Sequence, residues 1–263
     1  MHILIIGDIV GKPGRKAVAE LLPQIRKEFD IDFVIANVEN LAHGFGFTSQ
    51  TLQELTNAGV DAGTSGNHAW AKPDGRELLS NRNSIVVRPA NYPVGTPGVG
   101  AKTFTIATKS ILVVNLMGRV FMKENLDCPF RALDAILQAN SGTRHAGIIV
   151  DFHAETTSEK NAFGLYADGR VSAVVGTHTH VPTADERVMP GKTAYISDIG
   201  MVGLQHSVIG FDSGPLQSFL TQIHQHFEIS DHGTVVFNSV LIDLDTATAQ
   251  ARSITRIQRI VNV

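Results

Sequence analysis

The sequence predicts an α/β protein in which two packed sheets lie between helices. Three observations predict it. The first third alternates short apolar runs, polar loops and helical periodicity, the pattern of parallel strands joined by right-handed crossovers. The chain ends differently, with apolar and polar residues alternating over Thr234 to Leu244 and Ala249 to Val261, the signature of two antiparallel strands. The 263 residues are 43% hydrophobic and 18% charged, enough apolar mass to bury a sizeable core.

His2 to Ile6 is a continuous apolar run and reads as a central strand, ending in Gly7-Asp8-Ile9-Val10-Gly11. Pro13 to Phe29 has helical periodicity, with Pro13 suited to a first turn and Pro23 placed to kink or split the helix. Asp32 to Asn37 is a second strand running into Glu39 and Asn40. Thr48 to Ala58 reads as a helix capped by Thr48 or Ser49 and stopped by Gly59. Val60 to Thr64 is a short strand leading to Gly66-Asn67-His68. The Pro-rich stretch from Arg88 to Pro97 reads as a long surface loop. A hairpin follows, Lys102 to Ala107 and Ser110 to Asn115, turning through Thr108-Lys109. Pro129 to Asn140, Thr156 to Tyr166 and Pro215 to Phe227 read as helices. Ala146 to Phe152, Val171 to Val175 and Thr193 to Ser197 read as strands.

Net charge is −3 and the sequence pI is about 6.4, which argues against a broad basic surface for duplex or long nucleic acid. The single cysteine, Cys128, rules out an internal disulfide framework and fits a reducing compartment. No basic leader, cleavage site or membrane-length apolar run is present, so the expectation is a soluble cytoplasmic protein without a membrane partner.

The chemistry concentrates at strand ends. The apolar run from Val171 feeds Gly176-Thr177-His178-Thr179-His180. Two imidazoles at i and i+2 of an extended segment share one side, and imidazole is the commonest metal ligand near neutral pH. Asp8, Glu39, Asn67, His153, His178 and His180 all fall at predicted strand ends, where open α/β sheets bind ligands. This mixed oxygen and nitrogen set suits iron, manganese or zinc better than magnesium or calcium. One metal needs three or four protein ligands, so this many candidates suggest two metals sharing a carboxylate, roughly 3.5–4 Å apart. Taken singly, Asp8, Glu39 and Asn67 also read as helix caps, and His153 as a satisfied core histidine. His224-Gln225-His226 repeats the His-x-His spelling on a predicted helix, where i and i+2 do not share a face, and is rejected as a site. His43 lies in the Gly-rich Ala42-His43-Gly44-Phe45-Gly46, which reads equally as a phosphate-approaching loop or an ordinary turn.

Gly66-Asn67-His68 and Gly176-Thr177-His178-Thr179-His180 resemble two blocks of the calcineurin-like metallophosphoesterases. The order Asp, acidic bridge, Gly-Asn-His, His, Gly-x-His-x-His is also similar to theirs and runs over nearly the whole chain. Finer blocks resemble the YmdB-type bacterial branch, which are 2′,3′-cyclic-nucleotide phosphodiesterases. These blocks are Gly7-Asp8-Ile9-Val10-Gly11, Asn37-Val38-Glu39-Asn40, Arg88-Pro89-Ala90-Asn91-Tyr92-Pro93 and the run from Asp151 through Glu155 to Lys160. The resemblance implies one domain over residues 1–263 with a four-layer α-β-β-α sandwich, two packed mixed β-sheets flanked by helices. It implies one metal on Asp8, Glu39, Asn40 and His180, and a second on Glu39, Asn67, His153 and His178. Asn40 stands in for the histidine of the superfamily's usual Asp-x-His, which here is Asp8-Ile9-Val10, and Glu39 replaces the usual bridging Asp. Asn40 otherwise reads as a loop-holding side chain. The oxygen-rich set favours iron, with manganese or zinc as alternatives. His68 is implied as proton donor to the leaving oxygen, after in-line attack by a metal-bridging hydroxide.

The expected substrate is a small phosphodiester or cyclic nucleotide, and a homo-oligomer stays open. Two rivals are weighed. A metal-dependent amidohydrolase also uses His-x-His, but that pair usually ends the first barrel strand, whereas here it comes late. A regulatory nucleotide- or RNA-binding protein would keep the metals and turn over poorly.

Overall fold

The computed structural model describes residues 1–263. Its first sheet is built on β1 (His2–Ile9), β2 (Phe33–Asn37) and β3 (Ala62–Thr64). The second sheet follows with β4 (Ala101–Ile106), β5 (Lys109–Met117), β6 (Gly147–His153), β7 (Ala173–Thr177), β8 (Arg187–Val188) and β9 (Ala194–Ile196). The chain then returns to the first sheet through β10 (Met201–Leu204), β11 (Thr234–Asp245) and β12 (Gln250–Asn262). Strand order is β12-β11-β10-β1-β2-β3 in one sheet and β4-β5-β6-β7-β9-β8 in the other. Both sheets are mixed. β1, β2 and β3 run parallel, as do β5, β6, β7 and β9, while the β4–β5 and β11–β12 hairpins are antiparallel.

The side-chain parity of the strands explains the layers. In β1, Leu4 and Ile6 pack with helical residues Ala17, Val18 and Leu22, whereas Ile3 and Ile5 pack with Ile111, Val113 and Ile149 of the other sheet. In β5 the alternate residues Leu112, Val114 and Leu116 face outward onto Phe163 and Leu133. Successive strand side chains point to opposite faces, so each central strand feeds two of three apolar cores. The three cores are helix on sheet, sheet on sheet and sheet on helix. The result is the expected four-layer α-β-β-α sandwich. On one flank lie α1 (Gly11–Glu28), α2 (Ser49–Ala58) and α3 (Pro73–Ser80). On the other lie α4 (Pro129–Ala139) and α5 (Thr157–Ala167). Thr48 caps α2 through a reciprocal box with Thr51, and Gly59 closes it at φ 107°. Such a cap contributes about 1 kcal/mol.

Several sequence expectations are corrected. Pro23 neither splits nor ends α1, which runs unbroken through it. Helix α3 and strand β10 were not expected; β10 is short, and its partners β1 and β11 are distant in sequence. The helix expected over Pro215 to Phe227 is the short α6 (Pro215–Thr221), stopped by Gln222 at φ 57°. His224 and His226 therefore lie beyond it, and the helical ground for rejecting that pair does not hold. Cys128 is half-buried at the N-cap of α4. No helix is long and apolar enough to cross a membrane.

Candidate metal centre

The inter-sheet layer changes character along its length. Toward the amino ends of the strands it is apolar; toward their carboxyl ends the same faces carry polar side chains. On β2, Phe33 and Ile35 face the other sheet, and Asn37 and Glu39 continue that parity. On β6, Ile149 is followed by Asp151 and His153, and on β7, Ala173 and Val175 are followed by Thr177. Asp8 joins them through an irregularity. The β1–β2 register shifts between Ile6 and Asp8, and Ile9 packs in the same core as Leu4 and Ile6. Parity has flipped, which puts Asp8 on the inter-sheet side instead of under α1. Asp8 is thus inside the end of β1 and His153 is the last residue of β6, whereas Glu39, Asn40, Asn67, His178 and His180 lie in the loops just beyond strands.

The seven expected ligands gather around two carboxylates, Asp8 and Glu39. His153 Nε2 lies 3.0 Å from Asn67 Oδ1, 3.0 Å from His178 Nδ1 and 3.1 Å from Glu39 Oε1. Ligand atoms of Glu39, His153 and His178 all fall within 4.8 Å of one another. Next to them, Asp8 Oδ1 is 3.9 Å from His180 Nε2 and 3.9 Å from the His153 ring. Asn40 completes the second group: its Nδ2 donates to Gly44 O at 2.8 Å, which turns Oδ1 the other way. Asp8 Oδ1 and Asn40 Oδ1 are both buried without a hydrogen-bond partner. Gly66 keeps the space open, since a Cβ there would strike the His153 ring and Glu39 Oε2.

These residues fit a metal on chemical grounds. Two orphaned, buried oxygen acceptors cost free energy unless something electropositive meets them. The imidazoles are oriented to offer lone pairs. Thr177 Oγ1 donates to Asp151 Oδ1 at 2.6 Å, so it accepts from His153 Nδ1 at 2.9 Å and leaves Nε2 facing the cluster. His178 Nε2 is 3.0 Å from Glu155 Oε2, which leaves Nδ1 facing inward. His180 Nδ1 donates to Ile209 O at 2.8 Å, which leaves Nε2 toward Asp8. Metal-ligating histidines characteristically carry such an outer partner.

The two loop histidines do not share a side by extension, as the sequence suggested. His178 has φ 100° and His180 φ 65°, so the backbone curls and aims the rings at different members of the cluster. A buried ion pair holds this strained turn. Asp198 Oδ2 accepts from Lys160 Nζ at 2.6 Å, Thr179 N at 3.2 Å and Thr179 Oγ1 at 2.8 Å, and Lys160 also donates to Thr177 O.

The electrostatics point the same way. Burial pushes the Asp8 carboxyl up, only partly opposed by His180 and His153. Burial would also raise Glu39, but contact with His153 and His68 holds it well below the usual carboxylate range. Burial lowers His153, yet Glu39, Asp8 and Asp151 outweigh it and raise the imidazole to about 9. Burial and the neighbouring His153 push His178 down to about 3. A proton on His153 occupies the place a cation would take.

His68 sits beside this cluster and is partly exposed. Its N–H donates to Glu39 Oε2 at 3.0 Å, and its ring Nδ1 is 3.1 Å from Asn40 Nδ2 and 3.3 Å from Glu39 Oε1. Asn40 Nδ2 can only donate and Glu39 Oε1 can only accept, so Nδ1 meets the amide as an acceptor in the neutral ring and the carboxylate as a donor in the imidazolium. Phe45 meets the ring edge-on at 5.0 Å. Sequence reasoning missed the outer partners Asp151, Thr177 and Glu155, and the Lys160–Asp198 anchor. A usable signal existed for Asp151, which stands two residues before His153 and therefore on the same strand face.

Known proteins resemble this chain in sequence and in fold. Residues 4–257 match the YmdB-like protein family. The chain is 44% identical over 258 residues to the 2′,3′-cyclic-nucleotide 2′-phosphodiesterase of Bacillus subtilis, covering 98% of this chain and 96% of that protein. A hypothetical protein from Thermus thermophilus has the same fold, with a TM-score of 0.91, 42% identity and 99% of each chain covered. A 5′-nucleotidase from Staphylococcus aureus shares the fold at a TM-score of 0.64 and 16% identity, over 97% of this chain and 53% of that one. With the match over nearly the whole length, the chain belongs to the YmdB-like protein family.

Proposed function

We propose that the chain is a dinuclear-metal phosphodiesterase that hydrolyses 2′,3′-cyclic nucleotides. The observation that carries this reading is the set of lone-pair atoms converging at the inter-sheet edge, with Asp8 Oδ1 and Asn40 Oδ1 buried and unpartnered. The Bacillus subtilis relative, named for this activity, supports the substrate class. Asp8, Glu39, Asn40 and His180 would hold one metal, and Glu39, Asn67, His153 and His178 the other. When bound, the metals supply charge neutralisation at the phosphate oxygens and lower the pKa of the attacking water. Three imidazoles among mostly oxygen donors favour iron or manganese over zinc.

The chain's own part in the reaction is positioning and proton transfer. The bond from water oxygen to phosphorus forms as the bond from phosphorus to one ribose oxygen breaks. His68, as the imidazolium with Nδ1–H toward Glu39 Oε1, gives its Nε2 proton to that ribose oxygen, which otherwise leaves as an alkoxide, and the neutral ring then takes back from solvent the proton that the attacking water releases. Asn40 Nδ2 and Glu39 Oε1 flank His68 Nδ1 and hold the ring in place, and Asn40 keeps its own Oδ1 for a metal. The buried site excludes bulk water, which strengthens each of these interactions.

The test is hydrolysis of 2′,3′-cyclic AMP by iron- or manganese-loaded protein, with 3′,5′-cyclic AMP alongside. Selective turnover of the 2′,3′ isomer is expected. Two bound metals without turnover of either isomer would refute the substrate assignment.

A further inference from the structure

We infer that a cavity beside His68 receives the nucleobase of the substrate and favours bases carrying an exocyclic amino group. This rests on the 2′,3′-cyclic-nucleotide reading above. The cavity has a volume of about 570 Å³ and is lined by Phe45, Phe227 and Ile229 with Lys72, Asp212 and Glu228. That size is within the range of small-molecule pockets, which combine apolar walls with a few polar groups. Two motifs that the metal centre leaves unused meet here, since His43 and His226 also line it.

The cavity is mechanically part of the site. Phe45 forms its wall and touches the His68 ring, while Gly44 O accepts from Asn40, a proposed ligand. Phe45 is braced on one face by Phe211, with ring centroids 5.4 Å apart and planes 29° apart. Gly44, at φ 83°, allows this, because a Cβ there would lie 2.7 Å from the Phe211 ring. A rigid aromatic wall is a stacking platform for any base. The substrate's own covalent structure demands such a neighbour. Whichever ribose oxygen leaves against His68, the base hangs on C1′, one or two carbons away.

Charge decides which group enters. Two carboxylates, Asp212 and Glu228, face one ammonium, Lys72, so a second phosphate is disfavoured and a neutral base with N–H donors is favoured. Asp212 already accepts from the Ser230 N–H and hydroxyl. Glu228 accepts from Ser213 through Oε2 at 3.2 Å, which leaves Oε1 for an incoming donor. Adenine, cytosine and guanine offer a projecting exocyclic amino group to such an acceptor, whereas uracil has only its ring N3–H, set back between two carbonyls.

The experiment is calorimetric titration of the full chain with adenosine and with uridine, neither of which carries phosphate, repeated on Glu228→Ala. Glu228 is exposed, so the variant should fold. Adenosine should bind at least about tenfold tighter, as expected for one hydrogen bond to a charged acceptor, and the preference should collapse in the variant. Equal binding of the two nucleosides, no binding of either, or a preference unchanged in Glu228→Ala would overturn the inference. Hydrolysis of 2′,3′-cyclic AMP is measured in parallel. Its failure alongside an intact adenosine preference would sink the functional reading and leave the pocket standing.

Discussion

Thr177→Val tests the reasoning at its most exposed step, that outer-shell hydrogen bonds set the ligand tautomer of His153. The substitution keeps the β-branched shape and removes one oxygen from a buried position on β7. That oxygen accepts from His153 Nδ1 at 2.9 Å and donates to Asp151 at 2.6 Å. Without it the Nδ1–H of the stripped, protonated ring has no acceptor, and when the ring gives up one proton to take a metal the one it keeps is favoured on Nε2, 3.1 Å from Glu39 Oε1. The lone pair then leaves the cluster. Loss of such an outer partner typically costs 10–100-fold in metal affinity, or about 1.4–2.7 kcal/mol. Folding should also lose about 1–3 kcal/mol, because the Nδ1–H and one Asp151 oxygen are left unpaired. The assay is titration of Mn²⁺ into chelator-stripped protein by calorimetry, with thermal unfolding alongside. Thr177→Ser keeps the hydroxyl and should bind metal nearly as wild type. Metal affinity in Thr177→Val within about threefold of wild type would refute the tautomer argument.

The other predictions concern the proton donor, the metal-uptake pH and the buried anchor. His68→Ala should lower kcat for 2′,3′-cyclic AMP by about 10²–10⁴-fold while metal content is retained, whereas Asp8→Asn should lose both; full activity in His68→Ala ends its assigned role. In chelator-stripped protein the proton on His153, raised to about 9, must leave before a metal is bound, so apparent affinity should climb with pH and level off above about 9. A flat profile from pH 6 to 9, with proton release undetected, contradicts this. The same shift has a stability sign: a raised imidazole favours the folded stripped protein fully below about 6.5, and that contribution is lost as pH rises through about 9. Lys160→Met leaves Asp198 buried and unpaired and should cost about 3–5 kcal/mol in a denaturant titration. A loss under about 1 kcal/mol would show that Asp198 is satisfied by Thr179 and Gly200 alone.

Much of this molecule is legible in its sequence because its signals are local. Runs such as His2 to Ile6 and Ala146 to Phe152 need no partner to be recognised as buried strands, and Thr48 and Gly59 mark α2 by their own chemistry. The strand-end candidates could be picked out because each stands next to a distinctive short motif, and the structure brings them together. What escaped depends on distant partners. Strand β10 exists only because β1 and β11 flank it. α6 ends early because Gln222 adopts a left-handed turn that no residue pattern announces. The bulge that turns Asp8 inward is a property of pairing between β1 and β2, and the Asp151–Thr177–His153 chain joins residues of neighbouring strands.

The buried carboxylates divide into two kinds, and the division argues for where function lies. Glu159 accepts from the N–H groups of Arg119 and Val120, and Asp198 has Lys160, Thr179 and the N–H of Gly200. Both are fully served by fixed partners and need nothing from outside. Asp8, Glu39 and Asp151 have hydroxyls, amides and imidazoles, but no lysine or arginine. Their only basic partners are histidines, His153 foremost. A fold that needed merely to be stable would have paired these three as it paired Asp198. Burying them around Asn40 Oδ1 and three oriented imidazoles makes sense when the missing charge is supplied by metal ions, and the same charge then serves a phosphodiester brought against His68.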